Sequence, residues 1–94
     1  MKITIDELLQ ISTPIHLIDI RDNESYLKGH IKGAINIISS ELIYHPTKYL
    51  DFKNTYYLSC DVGYISEDVA MRLRMQGYHT ISIIGGYNNY LFKK

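Results

Sequence analysis

The sequence predicts an α/β domain built on a mostly parallel sheet. Short apolar segments typical of buried strands alternate with amphipathic segments typical of helices, which is the pattern of strand–helix–strand units. The 94 residues suffice for one domain, which we expect to span residues 1–94. A hydrophobic content of 46% favours a folded chain over a disordered one.

The first predicted elements are an edge strand and a short helix. The strand is expected at Ile3–Ile5. Thr4 or Asp6 is expected to cap a helix that reaches Gln10, because either side chain offers an oxygen to the free N–H groups of a helix start.

A second strand, a short helix and a third strand follow. His16–Ile20 is a nearly continuous apolar run, as expected for a strand with both faces buried. A helix is predicted at Asn23–Lys28 and ends at Gly29, since glycine favours the backbone conformation of helix ends. Ala34–Ile37 is predicted to form the next strand.

The middle of the chain predicts one more helix and one more strand. Ser39 or Ser40 is expected to cap a helix that runs to about His45, and Pro46 is expected to end it. Thr55–Ser59 is predicted to be the fourth strand.

The last third of the chain contains the clearest helical pattern. Ser66–Met75 has apolar residues spaced by three and four positions, and Gly77 lies at its end. Thr80–Ile84 is predicted to be the last strand. The Gly85-Gly86 pair then turns the chain into a terminal helical stretch around Tyr87–Phe92.

The only cysteine, Cys60, lies between a predicted strand and the longest predicted helix. In α/β proteins, ligands bind at the carboxyl ends of parallel strands. Gly63 lets the loop turn several N–H groups inward, and Ser66 is expected to cap the helix. A thiol among such groups is stabilised as the nucleophilic thiolate, although a lone cysteine can also be a small buried apolar residue. We predict that Cys60 is a nucleophile inside an anion-binding cradle.

Charge and hydropathy argue against two classes of partner. Ten Lys and Arg residues balance ten Asp and Glu residues, and no basic stripe alternates with aromatic residues, so nucleic-acid binding is not expected. The apolar runs are much shorter than the roughly 20 residues that cross a bilayer, and the N-terminus lacks the apolar core of a signal peptide. We therefore expect no membrane association, and the single cysteine fits a reducing, cytoplasmic location.

Three segments of the chain carry distinctive motifs. The first combines Asp19-x-Arg21, Glu24-x-Tyr26 and the run Gly29-His30-Ile31-x-Gly33-Ala34-x-Asn36-Ile37. The second is Cys60-x-x-Gly63-x-x-Ser66, and the third contains Gly77-Tyr78, Ile81, Gly85-Gly86 and Tyr90. Together they resemble the rhodanese-like domain family, and the second is similar to the family's active-site loop. The motifs occur in the family's order and together cover nearly the whole chain.

The resemblance implies a fold and an activity. The rhodanese-like fold is a five-stranded parallel sheet flanked by helices on both faces. The family's activity is sulfur transfer, in which a donor such as thiosulfate passes its sulfane sulfur to a thiophilic acceptor through a persulfide, here on Cys60. No metal or organic cofactor is implied. Expected partners are a small-molecule or protein sulfur donor and a thiol acceptor, for a monomer or weak homodimer of the bacterial cytoplasm.

Substrate contacts are expected from the active-site loop and one arginine, namely Asp61, Val62, Gly63, Tyr64, Ile65, Ser66 and Arg21. Arg21 either assists anion binding or pairs with Glu24 or Asp22 to hold the neighbouring loops. Ile65 stands where many family members carry a basic or polar residue, and Asp61 places a negative charge beside the nucleophile. Both departures predict that thiosulfate is a poor donor.

Two alternatives stay open at this point. A non-catalytic or regulatory rhodanese-like module would bind a partner or sense oxidants through Cys60, and uptake of cyanide-labile sulfur distinguishes the enzyme from it. Related phosphatases and arsenate reductases use a Cys-x5-Arg loop to grip a tetrahedral oxyanion. Here Ser66 occupies the position of that arginine, which disfavours this chemistry.

Overall fold

Five strands form one sheet at the centre of the structure, a computed structural model that describes residues 1–93. The strands are β1 (Lys2–Ile3), β2 (His16–Asp19), β3 (Ile35–Asn36), β4 (Thr55–Ser59) and β5 (His79–Ile83). Their spatial order is β1-β5-β4-β2-β3, and every neighbouring pair runs parallel. The predicted five-stranded parallel sheet is therefore confirmed.

Helices cover both faces of the sheet, as predicted. They are α1 (Ile5–Leu9), α2 (Asn23–Lys28), α3 (Ser39–Tyr44), α4 (Pro46–Tyr49), α5 (Tyr64–Met75) and α6 (Gly86–Lys93). Because side chains alternate along a strand, β2 contributes Ile18 to one apolar cluster and Leu17 to the other. The first cluster contains Leu42 of α3 and Leu73 of α5, while the second contains Leu8 of α1. Within residues 1–93, none of the helices has the length and apolarity to cross a membrane.

The start of α1 follows one of the two predicted alternatives. Thr4 is the capping residue, and its Oγ1 accepts the N–H of Glu7 at 3.1 Å. Glu7 returns the contact by accepting the N–H of Thr4 at 3.0 Å, which completes a capping box. The N–H and the hydroxyl of Thr4 both donate to the Glu7 carboxylate, and these hydrogen bonds lower the pKa of that carboxyl below its ordinary value.

The segment between β3 and β4 differs from the prediction in two ways. Ile38 holds the N-cap position of α3, and neither Ser39 nor Ser40 caps this helix. Ser39 lies inside the first turn because its N–H donates to the carbonyl of Ile20 at 3.0 Å, which fixes the entry of the chain. Pro46 begins the additional helix α4, since a proline in the first turn lacks only an N–H that has no partner within the helix.

Candidate active site

Cys60 lies directly after β4, at the carboxyl edge of the sheet, and is only 3% exposed. Its Sγ accepts hydrogen bonds from the N–H of Gly63 at 3.1 Å and from the N–H of Ser66 at 3.3 Å. Both donors belong to the N-terminal end of α5, where aligned peptide dipoles favour negative charge. The arrangement therefore stabilises a thiolate at Cys60 relative to the same thiolate without these donors.

Ser66 contributes to this cradle, but it does not cap α5 as predicted. The helix begins two residues earlier, at Tyr64, so that Ser66 is its third residue. Gly63 takes the N-cap position with φ of 101°, a left-handed conformation that suits glycine. The Ser66 hydroxyl points back to the carbonyl of Gly63 at 3.2 Å and lies 3.3 Å from the Sγ of Cys60.

The N-terminus of α6 holds the first two residues of the loop. The N–H of Tyr87 donates to the carbonyl of Cys60 at 2.8 Å, and the N–H of Asn88 donates to the carbonyl of Asp61 at 3.0 Å. Such a close approach requires glycine at position 86, because a Cβ on Gly86 would collide with the carbonyl of Cys60. Sequence reasoning identified the glycine pair as a turn but missed that this turn supports the active-site loop.

Arg21 joins two carboxylates across the site. Its guanidinium donates to Asp19 at 2.7 and 3.0 Å, to the carbonyl of Gly29 at 2.7 Å and to Oδ1 of Asp61 at 3.2 Å. It also lies 4.7 Å from the ring centroid of Tyr87. The Arg21 side chain is 7% exposed, and its hydrogen bonds to Asp19 raise the pKa of the guanidinium above its ordinary value. Arg21 therefore ties the loop to the end of β2.

The predicted pairing of Arg21 with Glu24 or Asp22 is wrong, because both carboxylates have local partners. Asp22 caps α2 by accepting the N–H of Ser25 at 3.3 Å and the hydroxyl of Ser25 at 2.7 Å. Glu24 lies 3.5 Å from Lys28, one turn along the same helix. Capping and i,i+4 pairing use these side chains within α2, which leaves Arg21 to Asp19 and to the loop.

Three exposed side chains of the loop other than Asp61 are uncharged and largely apolar. The exposed fraction is 47% for Val62, 79% for Tyr64 and 61% for Ile65. A pocket of about 360 Å³ opens beside Val62 and Tyr64, and Lys2, which lines it, is paired with Glu67 at 3.2 Å. The predicted site residues thus divide into buried groups around the sulfur and exposed groups at the surface.

Ser82 of β5 is a site residue that sequence reasoning missed. It is buried, and its Oγ lies 2.7 Å from the Oγ of Ser66 and 3.5 Å from the carbonyl of Gly63. The sequence does carry a signal, because Thr80 and Ser82 lie on the same face of a strand that is otherwise mostly apolar. Buried hydroxyl groups need hydrogen-bond partners, so such a pair indicates polar neighbours.

Comparisons of sequence and of structure with known proteins point to the same family. The profile of the Rhodanese-like domain family matches residues 4–93. Thiosulfate sulfurtransferase GlpE of Haemophilus influenzae (strain PittEE) is 35% identical over 75 residues, covering 79% of this chain and 70% of the relative. The same-named protein of Shewanella oneidensis is 29% identical over 89 residues, covering 92% and 87%. A rhodanese-like domain protein from Staphylococcus aureus superposes with a TM-score of 0.85 at 30% identity, covering 96% and 91%.

Proposed function

The chain belongs to the rhodanese-like domain family, and from that premise we propose that residues 1–94 form a single-domain sulfurtransferase with Cys60 as its nucleophile. One observation carries the proposal, namely that two amide N–H groups at the start of α5 donate to the sulfur of Cys60. The relatives named thiosulfate sulfurtransferase support a donor that carries a sulfane sulfur.

The first half of the proposed reaction loads the cysteine. The Cys60 thiolate attacks the sulfane sulfur of the donor, and a bond forms between Sγ and that sulfur. With thiosulfate, the sulfur–sulfur bond of the donor breaks and sulfite leaves with the bonding electron pair. The product is a Cys60 persulfide, so the transfer is a two-step displacement with a covalent intermediate.

The second half returns the cysteine to its starting state. A thiolate acceptor, or cyanide in the assay, attacks the terminal sulfur of the persulfide and forms a bond to it. The bond between the two sulfurs of the persulfide breaks, and Cys60 leaves as a thiolate. Charge therefore develops on Sγ, where the N–H groups of Gly63 and Ser66 already point, and preorganised donors of this kind lower the barrier.

On this proposal, the donor contacts the loop that follows the nucleophile, namely Asp61, Val62, Gly63, Tyr64, Ile65 and Ser66. The first N–H groups of a helix have no partner within it, and those of Tyr64 and Ile65 meet no acceptor among residues 1–93. They are the donors that we assign to the anionic oxygens of the substrate. Because the donors of Arg21 already serve Asp19, Gly29 and Asp61, we assign Arg21 to positioning the loop.

The contacts around Cys60 give no support to phosphatase chemistry. That reaction needs a guanidinium at the end of the loop, and Ser66 is there instead. Arg21 is the nearby arginine that reaches the loop, and it binds the carboxylate of Asp61 at 3.2 Å.

One observation favours the alternative of a non-catalytic or redox-sensing module. Cys60 is 3% exposed and belongs to the same apolar cluster as Leu58 and Val69. A sulfur packed in this way is typical of a structural cysteine as well as of a nucleophile at the base of a narrow site.

Mass spectrometry of the intact protein separates the two functions. We expect incubation with thiosulfate to add the mass of one sulfur atom, and cyanide to remove it with release of thiocyanate. The Cys60→Ser variant should show neither change. A wild-type protein that keeps its mass with thiosulfate and with an uncharged persulfide donor would contradict the enzyme and favour the module.

A further inference from the structure

Two buried hydroxyl groups lie beneath Cys60, and the transfer steps described above give the deeper one no role. Ser66 is the nearer of the two, and Ser82 of β5 lies behind it. Both residues are at most 1% exposed, so we look for the partners of the two hydroxyl groups among the protein groups of residues 1–93.

The Ser66 hydroxyl has three neighbours but only one proton. Its Oγ lies 3.3 Å from the Sγ of Cys60, 3.2 Å from the carbonyl of Gly63 and 2.7 Å from the Oγ of Ser82. The Ser82 hydroxyl can donate to Ser66 at 2.7 Å or to the Gly63 carbonyl at 3.5 Å. Two arrangements of the protons satisfy these groups, and the charge on the sulfur decides between them.

In the thiol state, the S–H of Cys60 donates to the Oγ of Ser66. The Ser66 proton is then directed away from the sulfur, towards the Gly63 carbonyl or Ser82. In the thiolate state, the sulfur can only accept. The Ser66 hydroxyl then becomes a third donor to Sγ, beside the N–H groups of Gly63 and Ser66 itself.

Turning the Ser66 proton towards the sulfur leaves the Ser66 oxygen in need of a donor. Ser82 is the group that can supply it, because the two hydroxyl oxygens lie 2.7 Å apart, the usual length of a hydrogen bond between hydroxyl groups. A hydroxyl that accepts a hydrogen bond is also a stronger donor, since successive bonds polarise one another.

Resting on the proposed sulfur transfer, we propose that Ser82 is a positioning residue that directs the Ser66 hydroxyl onto the Cys60 sulfur whenever that sulfur carries negative charge. Thiol ionisation itself releases the Cys60 proton to solvent or buffer, and the two serine protons only reorient. The charged sulfur occurs twice in each cycle, as the attacking thiolate and as the leaving group from the persulfide. Ser82 therefore assists both half-reactions without touching donor or acceptor.

The test measures alkylation of Cys60 by iodoacetamide in wild type and in Ser82→Ala, from neutral to strongly alkaline pH. We expect Ser82→Ala to lower the alkylation rate at neutral pH by about 3- to 10-fold, the size of one lost hydrogen bond. The difference should vanish at high pH, where the thiol is ionised in both proteins. Loading by thiosulfate and unloading by cyanide, measured in single turnovers, should each slow by a similar factor.

Thr80→Val is the matched control. Thr80 is a buried hydroxyl on the same strand, two residues away, and it donates to the carbonyl of Ala70 at 2.7 Å instead of to the site. Removal of the Thr80 hydroxyl should lower the stability of the protein, as removal of the Ser82 hydroxyl should, and leave the alkylation rate of Cys60 unchanged. The charged neighbours Asp61 and Arg21 are the same in every variant, so they cannot produce the difference.

A second pair of variants removes any dependence on how well Ser82→Ala folds. Ser82→Thr and Ser82→Val have the same shape and differ by one hydroxyl group. We expect the Thr variant to be alkylated several-fold faster than the Val variant at neutral pH. Equal alkylation rates within each pair, wild type with Ser82→Ala and Ser82→Thr with Ser82→Val, would overturn the role of Ser82 and leave the sulfur-transfer proposal standing. A protein that shows the alkylation differences but takes up no sulfur would instead overturn sulfur transfer and leave the hydroxyl chain standing.

Discussion

The active-site loop has two parts that differ in burial and in chemistry. The floor consists of the buried groups around the sulfur, namely Cys60, Gly63, Ser66 and Ser82. The rim consists of the exposed loop residues Asp61, Val62, Tyr64 and Ile65. Floor and rim residues are interspersed along the seven consecutive residues from Cys60 to Ser66, yet the floor is buried and the rim is exposed.

The floor acts on the sulfur through neutral groups. Among residues 1–93, its hydrogen bonds come from two amide N–H groups and from hydroxyl groups, without any charged side chain. The rim carries one charge, that of Asp61, and Arg21 partly compensates it. On this comparison, the floor sets the reactivity of the Cys60 sulfur and the rim sets the choice of donor. Substitutions in the two parts should therefore change these properties separately.

The largest expected effect comes from the floor itself. Cys60→Ser should abolish transfer with every donor, because no other residue near the loop can form a persulfide. The fold should survive, since serine is nearly isosteric with cysteine. The measurement is thiocyanate formation with thiosulfate and with an organic thiosulfonate. Residual turnover above the uncatalysed rate would mean that the sulfur travels by another route.

The next effect tests the backbone of the floor. Gly63→Ala should destabilise the protein by about 1–3 kcal/mol, because alanine is strained in a left-handed conformation. The new Cβ would also come within 2.9 Å of the backbone nitrogen of Gly85. We expect the displaced N–H to lower kcat/KM by roughly 10- to 100-fold with every donor. Thermal unfolding and steady-state kinetics measure the two effects.

Gly33→Ala is the control for that variant. Gly33 has φ of 90°, but a Cβ there would meet no atom of the described residues, 1–93, within 4 Å. It should therefore cost stability through strain alone and leave transfer kinetics close to wild type. Equal kinetic losses in both variants would mean that the loss follows stability rather than the position of the Gly63 N–H.

How much of this could be predicted from the sequence depends on how local the cause is. The sequence predicts the bounds of α2 and β4 without error, because a glycine directly after a helix and an apolar run between polar residues are local signals. Helix α4 was missed, since Pro46 was interpreted as a stop although proline also favours the first turn of a helix.

At the candidate site, too, the local features are the ones that the sequence predicts. The sequence predicts from one segment that Cys60 is a nucleophile, and the structure shows that two N–H groups of that segment donate to its sulfur. Besides its near neighbour Asp19, Arg21 binds Asp61, which lies 40 residues away, and Ser66 contacts Ser82, which lies 16 residues away. These two distant pairs depend on the order of the strands in the sheet, which no local pattern specifies.

The first test of the rim adds a charge to it. Ile65→Arg should raise kcat/KM for thiosulfate by roughly 5- to 30-fold, mainly through a lower KM, because a guanidinium binds an anion with two N–H groups. The gain should shrink at high salt, as expected for an exposed charge. Met75→Arg adds the same charge at the far end of α5, where the side chain is 81% exposed, and should change little. Equal gains in both variants would mean that net charge, and not the rim, attracts the donor.

The smallest effect is expected for Asp61→Asn, and it separates the two roles of that residue. As a rim charge, Asp61 repels an anionic donor, and its removal should favour thiosulfate. As the partner of Arg21 at 3.2 Å, however, it is already partly neutralised, and its side chain is 64% exposed to screening water. We therefore expect only about a 2- to 5-fold gain in kcat/KM for thiosulfate, less than for Ile65→Arg.

An uncharged donor distinguishes the effect of the Asp61 charge from the effect on loop position. Such a donor is not repelled by Asp61, so a change in its rate in the Asp61→Asn variant reports the weaker link between the loop and Arg21. Unchanged rates with that donor would mean that the N–H groups of Tyr87 and Asn88, which donate to carbonyls of the loop, suffice to hold it. A loss with both donors would show that the Arg21–Asp61 pair positions the floor, and the separation of floor and rim would fail at this residue.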